Sequence, residues 1–107
     1  MELQITGKNI DISPEVRQYI ERKLDRLHRH LNKVIAYKVE IAEQKTKSPQ
    51  QRFVVQATMD SNGTLLRSQE KAASLFAAVD KVAEVMDRQI ERYKGKTYYK
   101  RDRKSVV

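Results

Sequence analysis

Charged residues on the second long amphipathic segment of the chain, residues 75–94, are sorted by sign. Apolar residues recur there at helical spacing and form one stripe, made up of Leu75, Val79, Val82, Met86, Ile90 and Tyr93. The basic residues Lys81, Arg88 and Arg92 fall on one flank of this stripe. The other flank is acidic and carries Asp80, Glu84, Asp87 and Glu91. A cationic edge that is kept apart from an anionic edge predicts a surface that binds phosphate groups.

Basic residues continue beyond this segment to the end of the chain. They are Lys94, Lys96, Lys100, Arg101, Arg103 and Lys104. Tyr98 and Tyr99 lie among them, and two interpretations of these tyrosines stay open. They stack on unpaired bases, as aromatic residues do in single-strand binders, or they belong to a solubilising tail or the start of a linker.

The first amphipathic segment, which begins near Ser13, sorts its charges in the same way. At about 100° per residue, its apolar stripe is flanked on one side by Arg22, Arg26 and Arg29, with Lys23 nearer the stripe. Its acidic residues fall on the opposite flank, and the rotational sense matches that of the second segment. We therefore expect the two cationic edges to run side by side as one broad basic surface. The alternative is a pair of solvated faces with no ligand.

Composition supports a polyanionic partner. The chain has 107 residues, enough for one domain, and a formal net charge of +8 at pH 7. Such a charge favours RNA, DNA or an acidic membrane surface. The chain contains no cysteine, its first residues are too charged for a signal peptide, and no apolar run is long enough to span a membrane. We expect a cytoplasmic protein.

No set of residues in the sequence indicates catalysis or a cofactor. Motifs for a catalytic serine, a P-loop or a dinucleotide site are missing. His28 and His30 lie two positions apart and face different sides of a helix, so they do not form a metal site. We expect no enzyme activity, no metal, no cofactor and no small-molecule substrate. An enzyme acting on an anionic substrate and a module that binds an acidic protein remain as rivals to RNA binding.

Alternation and capping signals predict an α+β fold in the order β-α-β-β-β-α. Strands are expected near residues 1–6, 34–44, 52–60 and 64–69, with a hairpin turn at Asn62-Gly63. Ser13-Pro14 and Ser74 predict the two helix starts, and Asn32 and Gly95 predict their ends. The first connection should make strands one and two parallel, which gives a four-stranded mixed sheet with two parallel helices on one face. Residues 1–95 form the domain, and residues 96–107 form a flexible basic tail.

Two segments resemble the ribosome hibernation promoting factor family, also known as ribosome-associated inhibitor A. The first is Ile5-Thr6-Gly7-Lys8-Asn9-Ile10-Asp11-Ile12, followed by a capped helix. The second is Leu75-Phe76-Ala77-Ala78-Val79-Asp80, followed by Gln89-Ile90-Glu91-Arg92-Tyr93-Lys94-Gly95-Lys96. The resemblance covers about the first 96 residues, and the family has the same element order. The chain differs from the usual family pattern at two positions. Ser74 stands where the family commonly has aspartate or asparagine, and Phe76 stands where it more often has tyrosine.

The resemblance implies a mechanism in which the domain binds ribosomal RNA. Family members bind the small subunit at the decoding region, in the path of messenger RNA and of A- and P-site tRNA, and keep ribosomes inactive during stress. The implied partners are the 30S subunit or 70S ribosome through 16S rRNA, with no membrane contact and a monomer in isolation. The residues expected to bind RNA are Lys8, Arg22, Lys23, Arg26, Arg29, Lys81, Arg88, Arg92, Lys94, Lys96 and Arg101. Long family members add a linker and a second domain, and residues 97–107 resemble the start of such a linker.

The main alternative is a double-stranded RNA-binding domain of unrelated function, whose α-β-β-β-α core has a similar shape. That class carries a lysine cluster at the start of its second helix. The corresponding stretch here, Gln69-Glu70-Lys71-Ala72-Ala73, has one lysine and one glutamate. The extra first strand also argues against this class.

Overall fold

The computed structural model describes residues 2–30, 34–61 and 64–106, with side chains over residues 3–27, 36–60 and 65–92. The elements follow the predicted order. The strands are β1 (Glu2–Lys8), β2 (Val34–Glu43), β3 (Phe53–Ser61) and β4 (Thr64–Ala72), and the helices are α1 (Pro14–His30) and α2 (Leu75–Val106). A short 3-10 turn (Pro49–Gln51) interrupts the connection between β2 and β3. The α+β prediction is confirmed.

The four strands form one mixed sheet in the order β1-β2-β3-β4. β1 pairs with β2 in parallel, and β2, β3 and β4 form an antiparallel meander. β1, β2 and β4 therefore run in one direction. Each helix directly follows β1 or β4 and returns along the sheet, so the two helices are parallel to each other.

One face of the sheet carries the hydrophobic core beneath both helices. The sheet contributes buried side chains such as Tyr37, Val39 and Met59. Facing them are the apolar stripes of the helices: Val16, Ile20, Leu24 and Leu27 from α1, and Ala78, Val79, Val82, Met86 and Ile90 from α2. Alternation along each strand places polar residues on the other face, where Lys8 and Lys38 both pair with Glu40 at 3.8 Å. We refer to this second face as the open face of the sheet.

Both predicted helix starts are capped by serine. The backbone N–H of Val16 donates to Ser13 Oγ at 3.2 Å, and that of Ala77 donates to Ser74 Oγ at 3.1 Å. The predicted stop at Asn32 and the turn at Asn62-Gly63 lie outside the described residues.

The predicted end of the second helix at Gly95 was wrong, because α2 continues to Val106. Glycine inside a helix costs about 1 kcal/mol relative to alanine, which weakens a helix without ending it. No proline follows Pro49, so nothing in the covalent structure breaks the helix there. The flexible basic tail over residues 96–107 stays a prediction.

Gly7 and Asn9 explain the motif that follows β1. A Cβ atom on Gly7 would lie 2.4 Å from the carbonyl oxygen of Ile10, which no side chain tolerates. Asn9 has a φ angle of 59°, in the left-handed region where asparagine is favoured among residues with a side chain. The sequence Gly7-Lys8-Asn9 therefore folds the chain back so that Ile10 and Ile12 pack against the core.

Candidate nucleic-acid interface

The outer surface of α1 presents two exposed arginines. Arg22 and Arg26 are four residues apart and therefore lie on the same side of the helix. In the part of the chain whose side chains are described, neither guanidinium lies within ion-pair distance of a carboxylate. We name Arg22 and Arg26 the α1 cationic cluster.

The seam between the helices brings opposite charges together. Lys23 of α1 pairs with Asp80 of α2, with 3.2 Å between Nζ and Oδ1. An open cleft of about 420 Å³ follows this seam, and both helices contribute its lining, which is Lys23, Arg26, Leu27, Asp80, Ala83, Glu84 and Asp87. We name Asp80, Glu84 and Asp87 the acidic row. The expectation that the two cationic edges run side by side was wrong.

The reason is the handedness of two parallel helices. When parallel helices carry the same charges in the same rotational sense, the right flank of one faces the left flank of the other. Equal sorting therefore sets the cationic edge of α1 against the acidic row of α2. The same geometry places the cationic edge of α2 on the far side, over β4.

The outer flank of α2 holds a second group of cations beside the free edge of β4. Lys81, Arg88 and Arg92 are exposed there, and we name them the α2 cationic cluster. Lys81 Nζ donates to the backbone carbonyl of Lys71 at 3.2 Å, which fixes its stem and leaves its charge on the surface. One turn before Arg92, Gln89 Nε2 donates to the carbonyl of Arg67 at 3.0 Å. The helix is thereby tied to the edge strand at two points.

Lys8 lies apart from both clusters. Its position at the end of β1 places it on the open face of the sheet, opposite the helices, where it pairs with Glu40. The structure therefore does not bring Lys8 together with the helix cations. The side chains of Arg29, Lys94, Lys96 and Arg101, and those of Tyr98 and Tyr99, lie outside the described residues.

Tyr19 joins the two helices at the N-terminal end of the seam. Its hydroxyl donates to Asp80 Oδ1, the same carboxylate oxygen that pairs with Lys23. This hydrogen bond favours the ionised carboxylate and the protonated phenol, so it lowers the pKa of Asp80 and raises the pKa of Tyr19. Lys23 also lowers the pKa of Asp80 through its charge. Asp80 is thus held in its ionised form, and its negative charge is balanced by the ammonium group of Lys23.

Neither a metal site nor a membrane span is found among the described residues. No group of three or more His, Cys, Asp or Glu side chains in this part of the chain is arranged to hold a metal ion. Over the same residues, neither helix combines the length and apolarity needed to cross a bilayer.

Comparison with known proteins identifies the fold and its family. The family model described as sigma 54 modulation protein / S30EA ribosomal protein matches residues 3–98. The chain belongs to this family. The crystal structure of the Thermus thermophilus Protein Y N-terminal domain superposes with a TM-score of 0.74 at 28% identity, covering 87% of this chain and 99% of that one. A ribosomal subunit interface protein from Coxiella burnetii has the same fold, with a TM-score of 0.76 at 23% identity over 89% of this chain and 99% of that one.

Sequence relatives in the S30EA family carry names that refer to ribosome hibernation. A ribosome hibernation promotion factor from Deinococcus radiodurans is 29% identical over 91 residues, which are 85% of this chain and 48% of the relative. A ribosome hibernation promoting factor from Azotobacter vinelandii is 28% identical over 96 residues, 90% of this chain and 85% of the relative. The chain thus spans about half the length of the Deinococcus relative and most of the Azotobacter one.

Sequence reasoning missed Tyr19 and Gln89, which connect α2 to its neighbours. Both are polar side chains at the border of an apolar stripe, a position that favours contact with an adjacent element. The handedness rule stated above, applied to the two charge patterns, would have placed Asp80 against α1. Nothing in the sequence marks which backbone carbonyl of β4 Gln89 contacts.

Proposed function

We propose that this domain binds the small ribosomal subunit through 16S rRNA and keeps ribosomes inactive during stress. In this proposal it occupies the decoding region, in the path of messenger RNA and of A- and P-site tRNA. Membership of the S30EA family and the names of its hibernation-factor relatives support the ribosome as the target. The proposal places the protein in the cytoplasm, acting by occupancy and without a cofactor.

The observation that carries the proposal is the pair of exposed cationic clusters on the helix layer. Arginine and lysine side chains that bind phosphate fix a protein on RNA without reading its bases. The acidic row lies between the two clusters, and its carboxylates Glu84 and Asp87 repel phosphates from the centre of the layer. RNA backbone is therefore expected to approach from two sides, which suits a channel lined by separate rRNA segments better than one continuous duplex.

The first test is co-sedimentation of the protein with purified 70S ribosomes. We expect saturable binding to empty ribosomes and loss of binding when messenger RNA and initiator tRNA are bound beforehand. Binding that ignores this occupancy would contradict the decoding-region assignment. Binding to a plain RNA duplex as tight as binding to ribosomes would favour the double-stranded RNA-binding alternative.

A pair of charge-reversal variants tests the surface itself. Arg88→Glu with Arg92→Glu is expected to abolish ribosome binding and to leave the fold intact, because both side chains are exposed. Lys45→Glu with Lys47→Glu is the matched control, since it changes the net charge equally in the exposed loop between β2 and β3. Equal loss of binding in both variants would show that net charge, and not the α2 cationic cluster, controls binding.

A further inference from the structure

An aromatic pair, formed by the exposed Phe76 and the half-buried Tyr19, joins the first turn of α2 to α1. Phe76, in the first turn of α2, is 41% exposed although it is a large apolar residue. Its ring meets that of Tyr19 edge to face, with 5.0 Å between centroids and an interplanar angle of 87°. Single exposed apolar side chains are common on proteins, so exposure alone does not identify a site. The surroundings of this pair are what distinguish it.

Cations surround the aromatic pair on the α1 side. The guanidinium carbon of Arg22 lies 5.8 Å from the Tyr19 ring centroid, and Lys23 Nζ lies 5.4 Å from it. Tyr19, Arg22, Lys23 and Arg26 together line an open cleft of about 300 Å³. Their spacing in the sequence places all four on one side of α1.

The ring of Tyr19 is held in place before any ligand arrives. Its hydroxyl is bonded to Asp80, and Lys23 pairs with the same carboxylate, so neither group is free to rotate away. This arrangement also neutralises Asp80, which would otherwise repel an anion from the cleft. Arg22 and Arg26 make no ion pair with any other described side chain and can bind a phosphate. A fixed ring next to available guanidinium groups is the combination with which proteins bind unpaired nucleotides.

We infer that the exposed ring of Phe76, braced by the perpendicular ring of Tyr19, forms a stacking platform for one unpaired RNA base, with Arg22 and Arg26 holding the adjoining phosphate. This inference rests on the proposed function in taking RNA as the ligand, and it adds a base contact to a surface otherwise expected to bind backbone. A base inside an A-form duplex is stacked between its neighbours and cannot reach the platform, so the occupant is a base from a loop, bulge or single strand.

The test compares two oligomers of equal charge by fluorescence anisotropy at fixed salt. One is octauridylate, whose bases stack weakly on one another, and the other is an octamer of abasic ribose phosphates. A stacked base strengthens binding by roughly fivefold or more, so the parent protein should prefer octauridylate by about that factor. Equal affinity of the parent for the two oligomers would overturn the platform.

Variants locate the preference on the platform. Phe76→Leu should bring the two affinities together, and Phe76→Tyr should keep the preference because it keeps an aromatic ring. Leu65→Ala is the control, since Leu65 is 64% exposed and lies on the open face of the sheet. Arg22→Gln should weaken binding of both oligomers by the same factor, because the phosphate is common to them. Loss of the preference in Leu65→Ala, or its persistence in Phe76→Leu with a native circular dichroism spectrum, would overturn the assignment.

Ribosome co-sedimentation separates this inference from the proposed function. A parent protein that sediments with empty ribosomes but shows no preference for octauridylate refutes the platform alone. A parent protein that prefers octauridylate but does not sediment with ribosomes refutes the ribosomal target and leaves the platform standing.

Discussion

Removal of the α1 cationic cluster should reduce the salt dependence of ribosome binding by a calculable amount. Arg22→Ala with Arg26→Ala deletes two exposed guanidinium groups that make no ion pair among the described side chains. The stability cost should be small, because the cation–π interaction between Arg22 and the Tyr19 ring is worth about 0.5–1 kcal/mol at an exposed site. The effect on binding is therefore expected to come from phosphate contacts.

The magnitude follows from the release of counterions. Each phosphate neutralised on single-stranded nucleic acid contributes about 0.7 to the slope of log K against log salt. If each of the five cations in the two clusters meets a phosphate, the slope is about −3.5, and a fourfold rise in salt weakens binding about 130-fold. Without Arg22 and Arg26 the slope falls to about −2.1, and the same rise weakens binding about 20-fold. The difference of about 1.4 between the slopes does not depend on cations elsewhere in the chain.

The assay is equilibrium binding of labelled protein to 70S ribosomes between 50 and 200 mM potassium at constant magnesium, about the range over which such slopes are defined. Lys45→Ala with Lys47→Ala is the matched control, because it removes the same charge from the loop between β2 and β3 and should keep the parent slope. A slope for the α1 variant equal to that of the parent would refute the assignment of phosphates to Arg22 and Arg26. Equal reductions of the slope in both variants would show that the net charge of the protein, and not the position of the arginines, determines the salt dependence.

Three further predictions concern polar contacts that stabilise the fold. Burial, together with the nearby charge of Asp25, raises the pKa of Tyr37 to about 12, so the neutral phenol contributes its full stabilisation below about pH 10 and loses it as the pH rises toward 12. In urea unfolding, the stability of the parent relative to Tyr37→Phe should drop by about 1.3 kcal/mol between about pH 9 and 11. A stability difference that does not change with pH would contradict this. The hydrogen bond from Tyr19 and the charge of Lys23 lower the pKa of Asp80, so the ionised carboxylate stabilises the fold above about pH 4, and this stabilisation is lost as the pH falls through the folded-state pKa. Asp80→Asn should therefore destabilise the protein at pH 7, by an amount that shrinks as the pH is lowered below about 4. A difference in stability that does not change with pH over this range would argue against it. Gln89→Ala should lower the free energy of unfolding by about 1 kcal/mol, because it removes the hydrogen bond to the carbonyl of Arg67. It should also raise light scattering on storage, because this carbonyl of edge strand β4 becomes free to pair with another chain. Scattering no greater than that of the exposed-site control Leu65→Ala would argue against protection of the edge.

The sequence was sufficient to predict the fold because local signals and the global architecture agree. Ser13 and Ser74 occupy true cap positions, and alternation over residues 37–41 of β2 and 55–59 of β3 matches the buried and open faces of the sheet. A short strand, a helix and a strand leave few topologies open once the right-handed crossover is required. Element order, sheet order and the common helix face all follow from these rules.

Element ends were predicted less well because they depend on partners. β4 was expected to end at Gln69 and instead continues to Ala72, since Glu70 and Ala72 pair with Val55 and Phe53 of β3. Pairing with a neighbouring strand satisfies backbone groups whatever the side chain, so polar residues extend a strand that composition alone would end. The end of α2 was likewise predicted too early. The helix continues past Gly95 because one unfavourable residue does not offset the propagation of a helix.

The exposed charges of the helix layer could be predicted residue by residue, but their arrangement could not. Charge sorting identified the exposed cations of both helices, and their exposure is confirmed for Arg22, Arg26, Arg88 and Arg92. How the flanks meet depends on helix direction and rotational sense taken together. Two parallel helices with equal sorting form a seam between unlike charges, which stabilises their packing and separates the cations into two groups. Helices of opposite sorting would have joined the cations into one patch at the cost of mutual repulsion across about 8–10 Å. In this chain, the charges that divide the surface also pair across the helix seam at Lys23 and Asp80, and a ligand must present phosphate on both sides of the acidic row to engage both clusters.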